Sequence, residues 1–85
     1  MIEVGMILEL SNNKKYIITD STIENSKVYY LTLEVDYNTE EPTDISMFFE
    51  HGENNTLIPI KNENDIDFLK TIFVSKFLDD VMEDN

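Results

Sequence analysis

Eighteen of the 85 residues are aspartate or glutamate, against six lysines, no arginine and one histidine. Carboxylates are therefore the groups with chemistry to offer. They can ligate metals, work as acid–base pairs, or present charge to a cation, and each use needs different neighbours. Acid–base work needs a pair in which burial lifts one pKa, and near neutral pH it most often enlists histidine. The single histidine lies in Glu50-His51-Gly52-Glu53, inside a predicted turn, and reads as a surface turn residue. Ser11, Ser21, Ser26, Ser46 and Ser75 stand in no Gly-x-Ser-x-Gly context, so no nucleophile elbow is present.

Metal ligation fares no better. Asp36-Tyr37-Asn38-Thr39-Glu40 alternates oxygen-bearing side chains as a calcium loop does. Its sixth position, however, is Glu41 rather than glycine, and its twelfth is Met47 rather than a bidentate glutamate. Glu50, His51 and Glu53 offer ligands from one turn, too few to close a shell. The chain has no cysteine, which removes thiolate sites and disulfides. Two glycines cannot build a phosphate-cradling loop. The expectation is a protein that is not an enzyme and carries no metal or cofactor.

What remains is charge. A formal net charge of −12 repels nucleic-acid phosphates and anionic membrane surfaces and attracts basic partners. Acid clusters stand at Glu40, Glu41 and Asp44 and at Asp79, Asp80, Glu83 and Asp84. These seven residues are the candidate partner-binding set. They point to a non-catalytic module that occupies a basic surface on another protein, such as one that handles nucleic acid. An alternative is an accessory protein whose acidity serves only solubility. No basic-then-apolar leader is readable, and no apolar run approaches the ~20 residues needed to span a bilayer. A cytoplasmic protein is expected.

The elements that must position these charges are organised around Lys27–Val35, KVYYLTLEV. Tyr29, Leu31, Leu33 and Val35 alternate with Val28, Tyr30, Thr32 and Glu34, as in a long central strand. Before it come a strand at Met6–Leu10, an Asn-rich turn, a return strand at Lys15–Asp20 and a polar connection over Ser21–Ser26. After it come a loop over Asp36–Asp44 and a strand at Ile45–Glu50. A turn at His51–Asn55 and a short strand at Thr56–Ile60 complete the sheet. Pro59 favours an edge or a strand end.

Asn62 and Asn64 are both plausible helix N-caps. Ile66, Leu69, Phe73, Phe77 and Val81 then follow helical spacing, widened by Ile72, Val74 and Leu78. The acidic last turn opposes the helix dipole, which predicts fraying or a partner-shaped end. The helix can cover only one face of the central strand. Val28 and Tyr30, with Phe48, would form an exposed patch unless curvature or the N-terminal hairpin closes the second face like a small barrel. The fold class is therefore α+β: a single domain over residues 1–85. An antiparallel meander of about five strands fills 1–61, twisted or partly barrel-like. One amphipathic helix at 62–84 packs on it.

Three segments also carry a resemblance: Val4-Gly5-Met6-Ile7-Leu8-x-Leu10, Lys15-Tyr16-Ile17-Ile18 and Lys27-x-Tyr29-Tyr30-Leu31. They are followed by Pro59-Ile60 and an acidic stretch to Asp65. The arrangement, over roughly residues 4–84, resembles the small acidic YrzB-like proteins of low-GC Gram-positive bacteria and their phages, with the longer Asp36–Asp44 loop as a departure. The resemblance implies a β-meander with a terminal helix and a bacterial or phage setting, and no catalytic residues. In that setting, phage-encoded inhibitors and nucleic-acid mimics, including anti-CRISPR proteins, place carboxylates where phosphates would stand.

Overall fold

Asparagines at the turns set the strand lengths. A computed structural model of the chain describes residues 2–83, with side chains to Asp79. Asn25 and Ser26 both take positive φ, 53° and 66°, the backbone of a two-residue hairpin turn. Strand β2 (Lys15–Glu24) therefore runs straight into β3 (Lys27–Val35), and the expected connection over Ser21–Ser26 is two residues long. Asn13 (φ 63°) likewise turns β1 (Ile7–Glu9) into β2. Gly5 (φ 95°) precedes β1, where its amide donates to the Ile18 carbonyl at 2.7 Å. Strand β4 spans Pro42–His51, starting three residues before the sequence predicts, and β5 spans Leu57–Pro59. A single 3₁₀ turn, Glu53–Asn55, links them, and α1 spans Glu63–Glu83. The five strands form one antiparallel sheet in the order β1-β2-β3-β4-β5.

Two register shifts bend this sheet. One lies between Ile18 and Asp20 on β2, the other between Leu33 and Val35 on β3. At the first, the Thr19 hydroxyl donates to the Leu31 carbonyl at 3.0 Å. At the second, the Thr43 hydroxyl donates to the Glu34 carbonyl at 2.7 Å. In each case a side chain serves a carbonyl beside a break in the ladder. Bulges increase local twist, and the sheet curls into a half-barrel.

The curl lets the sheet bury one face on itself. Tyr16, Ile18, Tyr30, Thr32 and Phe49 are all nearly inaccessible there. Tyr16 meets Phe49 edge-on at 5.3 Å between ring centroids. Helix α1 covers the other face, where Phe48, Leu69 and Phe73 form the core with Tyr29, Leu31, Ile60 and Ile66. Phe48 and Phe73 stack at 5.8 Å. Phe48 pairs with Leu31, and Phe49 with Tyr30. Phe48 therefore belongs to the helix face rather than beside Val28 and Tyr30, and Tyr30 is buried rather than exposed.

The helix begins at a cap and is tied down by a lysine. The Asn62 carboxamide accepts from the amides of Asn64 (2.9 Å) and Asp65 (3.2 Å), which makes Asn62 rather than Asn64 the N-cap. The Lys76 ammonium donates to the Asp20 carboxylate and to the Ser21 carbonyl, both at 2.7 Å. Because the bulge at Thr19 shifts register, Asp20 pairs with Leu31 and shares its helix-covered face. Leu69 and Phe73 are buried, and Ile66 and Ile72 are half-buried. Phe77, Val74 and Leu78 are exposed at 64%, 57% and 52%, so the apolar stripe read from the sequence is wider than the sheet beneath it. The backbone stays helical to Glu83; the Val81 side chain lies outside the described residues.

Candidate functional site

Of the first acid cluster, Glu40 and Glu41 stand on the β3–β4 turn and Asp44 on β4 itself, so the expected loop over Asp36–Asp44 ends at Glu41. Asp36 opens the turn: its carboxylate accepts from the amides of Asn38 and Thr39, both at 2.9 Å. Those amide contacts, Thr39 first, hold its pKa below the ordinary carboxylate value. Asp36 thus serves as a turn cap. Glu40 closes the turn with positive φ (61°), its amide donating to the Asp36 carbonyl at 2.8 Å.

The Glu40 carboxylate accepts from the Lys15 ammonium at 3.1 Å. That ammonium also donates to the Tyr37 carbonyl at 3.1 Å and sits 4.4 Å from the Tyr37 ring centroid. The Tyr37 hydroxyl in turn donates to Glu9 at 3.0 Å. The hydrogen bond to Glu40 raises the Lys15 pKa, and the bond to Glu9 raises that of Tyr37. Glu41 and Asp44 are exposed beside this network.

The second cluster lies on the last turns of α1. Asp79 is exposed; the side chains of Asp80 and Glu83, and all of Asp84, lie outside the described residues. No basic residue occupies this helix end. Among the described residues, no hydrogen bond or ion pair joins the two clusters.

Lysines divide the carboxylates into two classes. Asp20, Glu24, Glu34 and Glu50 are half-buried on the strands. Three of them carry a lysine: Asp20 with Lys76 at 2.7 Å, Glu34 with Lys14 at 3.5 Å, and Glu50 with Lys27 at 3.8 Å. Glu24 accepts from the Thr22 hydroxyl at 2.9 Å. The remaining described carboxylates are exposed, and of these only Glu40 has a lysine within 4.0 Å. Desolvation explains the division. A half-buried charge without a partner is costly, whereas an exposed one is not. The uncompensated charge is therefore left on exposed positions of the loops, the helix and the strands β1 (Glu9) and β4 (Asp44).

Two further features are not apparent from the sequence. His51 is the last residue of β4 rather than part of a turn, and its Nδ1 lies 2.8 Å from the Tyr30 hydroxyl. Burial raises the Tyr30 pKa. The pair satisfies a tyrosine on the self-buried face, which is enough to account for it. The other feature is an open cleft of about 540 Å³ where the half-barrel fails to close. Leu8, Leu10, Met47, Phe49, Leu57 and Pro59 line it, with Glu9 and Lys61 among its polar residues. Among the described residues, no group of three or more His, Cys, Asp or Glu side chains is arranged to hold a metal ion. No described helix is long and apolar enough to cross a membrane.

Comparison with protein-family models, with curated proteins and with solved structures returned no match to this chain.

Proposed function

We propose that this chain is a non-catalytic acidic binding module that occupies a basic surface on a partner protein. The observation that supports the reading is the division of the carboxylates. Three of the six lysines pair with half-buried acids of the strands and Lys15 pairs with Glu40, while Glu41, Asp44 and Asp79 face solvent with no lysine ammonium within 4.0 Å among the described residues. A surface of this kind accelerates encounter with a cationic partner by a factor on the order of 10 to 1,000 at low ionic strength. The partner class in this reading is a basic, nucleic-acid-handling protein, with carboxylates standing where phosphates would. A phage or mobile-element inhibitor of the anti-CRISPR kind is one form such a module takes.

The test is capture from a bacterial lysate on immobilised protein, eluted by a salt gradient. The proposal expects a basic protein that binds at low salt and elutes as salt rises, because the Debye length contracts to about 3 Å at 1 M. Retention of no basic protein at low salt would leave acidity as a solubility device and defeat the proposal.

A further inference from the structure

The cleft where the half-barrel fails to close is lined from one face of the sheet. Leu8 pairs with Tyr16 and Pro59 with Phe49, and directly paired residues share a face. Tyr16 and Phe49 lie on the self-buried face, so Leu8 and Pro59 do too. Met47 and Leu57, two residues along the chain from Phe49 and Pro59, alternate onto the same side. The bounding strands, β1 and β5, are the two ends of the sheet and do not pair with each other. At about 540 Å³ the cleft has the size of a small-molecule site, and the mouths of barrel-like sheets are common places for one.

Two charged residues line the cleft, Glu9 and Lys61. Glu9 is next to Leu8 on β1, so its side chain leaves the strand on the opposite face, and its carboxylate accepts from the Tyr37 hydroxyl at 3.0 Å. Lys61 continues the two-residue interval of Leu57 and Pro59. The ladder reaches it, because the Ile60 amide donates to the Phe48 carbonyl at 3.0 Å, and Ile60 packs on the helix face. Lys61 is thus directed to the cleft side. Lys14, Lys15, Lys27 and Lys76 each have a carboxylate within 4.0 Å; Lys61 has none among the described residues. In a chain of net charge −12, an unengaged ammonium stands at the rim of an apolar cleft.

We propose that this cleft binds a small amphiphile with an apolar body and an anionic head. The head meets the Lys61 ammonium, and the body lies on Leu8, Met47, Phe49 and Leu57. An extended peptide is the poorer occupant: β1 and β5 are three residues each, and Pro59 offers no N–H to a new strand. The site is separate from the acid clusters and goes beyond the reading of the chain as an acidic binding module.

The test uses the full chain with decanoate, decanol and decyltrimethylammonium, which share an alkyl chain and differ in head charge. Each is kept below its micelle-forming concentration. Titration calorimetry gives the affinities, and methyl NMR locates the site. Decanoate should bind most tightly, against the field of the whole chain, which favours the cation. Methyl shifts should fall on Leu8, Met47 and Leu57. Lys61 is exposed, so K61M should keep the parent's melting temperature, weaken decanoate about fivefold and leave decanol unchanged. Equal or tighter binding of the cation would overturn the proposal. So would shifts confined to Val74 and Leu78 on α1, an unchanged decanoate affinity in K61M, or binding of none of the three. The acidic-module reading is decided separately, by the lysate capture.

Discussion

Leu69 and Leu78 sit on the same helix and share the same chemistry, yet their replacement by alanine should have very different effects. Leu69 is 1% exposed and packs with Phe48 and Phe73, whereas Leu78 is 52% exposed. Deleting the buried Leu69 side chain loses about 0.8 kcal/mol per methylene equivalent, about 2 kcal/mol in all. The cavity left between helix and sheet raises this, and buried Leu→Ala changes cost about 2.7–5.0 kcal/mol. Natural domains keep about 0.05–0.15 kcal/mol per residue, which for this chain is about 4–13 kcal/mol. A loss of about 3 kcal/mol is therefore a large share, and at about 4–8 °C per kcal/mol it lowers the melting temperature by about 12–24 °C. Leu78→Ala should stay within about 0.5 kcal/mol. Urea unfolding followed by circular dichroism gives both values from midpoints at constant slope. Equal losses for the two variants would mean that the far end of α1 is packed like its middle, and the assignment of an unused apolar face would be wrong.

Other perturbations test separate parts of the fold. The Thr32 hydroxyl, fully buried, donates to the Met47 carbonyl at 3.0 Å; Thr32→Val should cost about 1–2 kcal/mol in urea unfolding. Lys76 and Asp20 are both partly solvated, so a double-mutant cycle of Lys76→Met and Asp20→Asn should return a coupling of only about 0.5–1 kcal/mol. Burial raises the Tyr30 pKa above its ordinary 10.0, so the stability it confers is whole below that pH and is lost as pH rises through the folded value. Tyr30→Phe should flatten the alkaline fall in stability, leaving the part due to Tyr37. Asp36 has the opposite sign: its lowered pKa confers stability above its ordinary 3.8 that disappears as pH falls through the folded value. Asp36→Ala should lower the melting temperature at neutral pH and reduce its dependence on acid, as read by thermal melts across the acid range.

The central strand is legible because Lys27–Val35 alternates without interruption and is rich in aromatic and β-branched residues. Strand β2 is under-read because Ser21 and Thr22 have turn composition, although they pair with Tyr30 and Tyr29. The signal that corrects it is Asn25-Ser26, a pair able to take positive φ. Alternation fixes which residues of β4 share a face but not which face meets the helix, so Phe48 and Phe49 could be told apart only by register. Helical periodicity groups Leu69 with Phe77 and carries no information about where the sheet beneath them ends. The acid clusters are plain in sequence. The engagement of Glu40 by Lys15, distant in the chain, depends on the β3–β4 turn folding back beside β2.

The central claim is that solvent-facing carboxylates on the β3–β4 turn, at the start of β4 and on α1 engage a cationic protein surface. The most direct measurement compares the parent with the charge-reversed variant E41K/D44K/D79K, matched for melting temperature. What is recorded is the amount of basic protein each retains from one bacterial lysate as salt is raised. The account predicts strong retention by the parent that declines with salt, and little retention by the variant at any salt. Equal retention by both, with the same salt response, would contradict it.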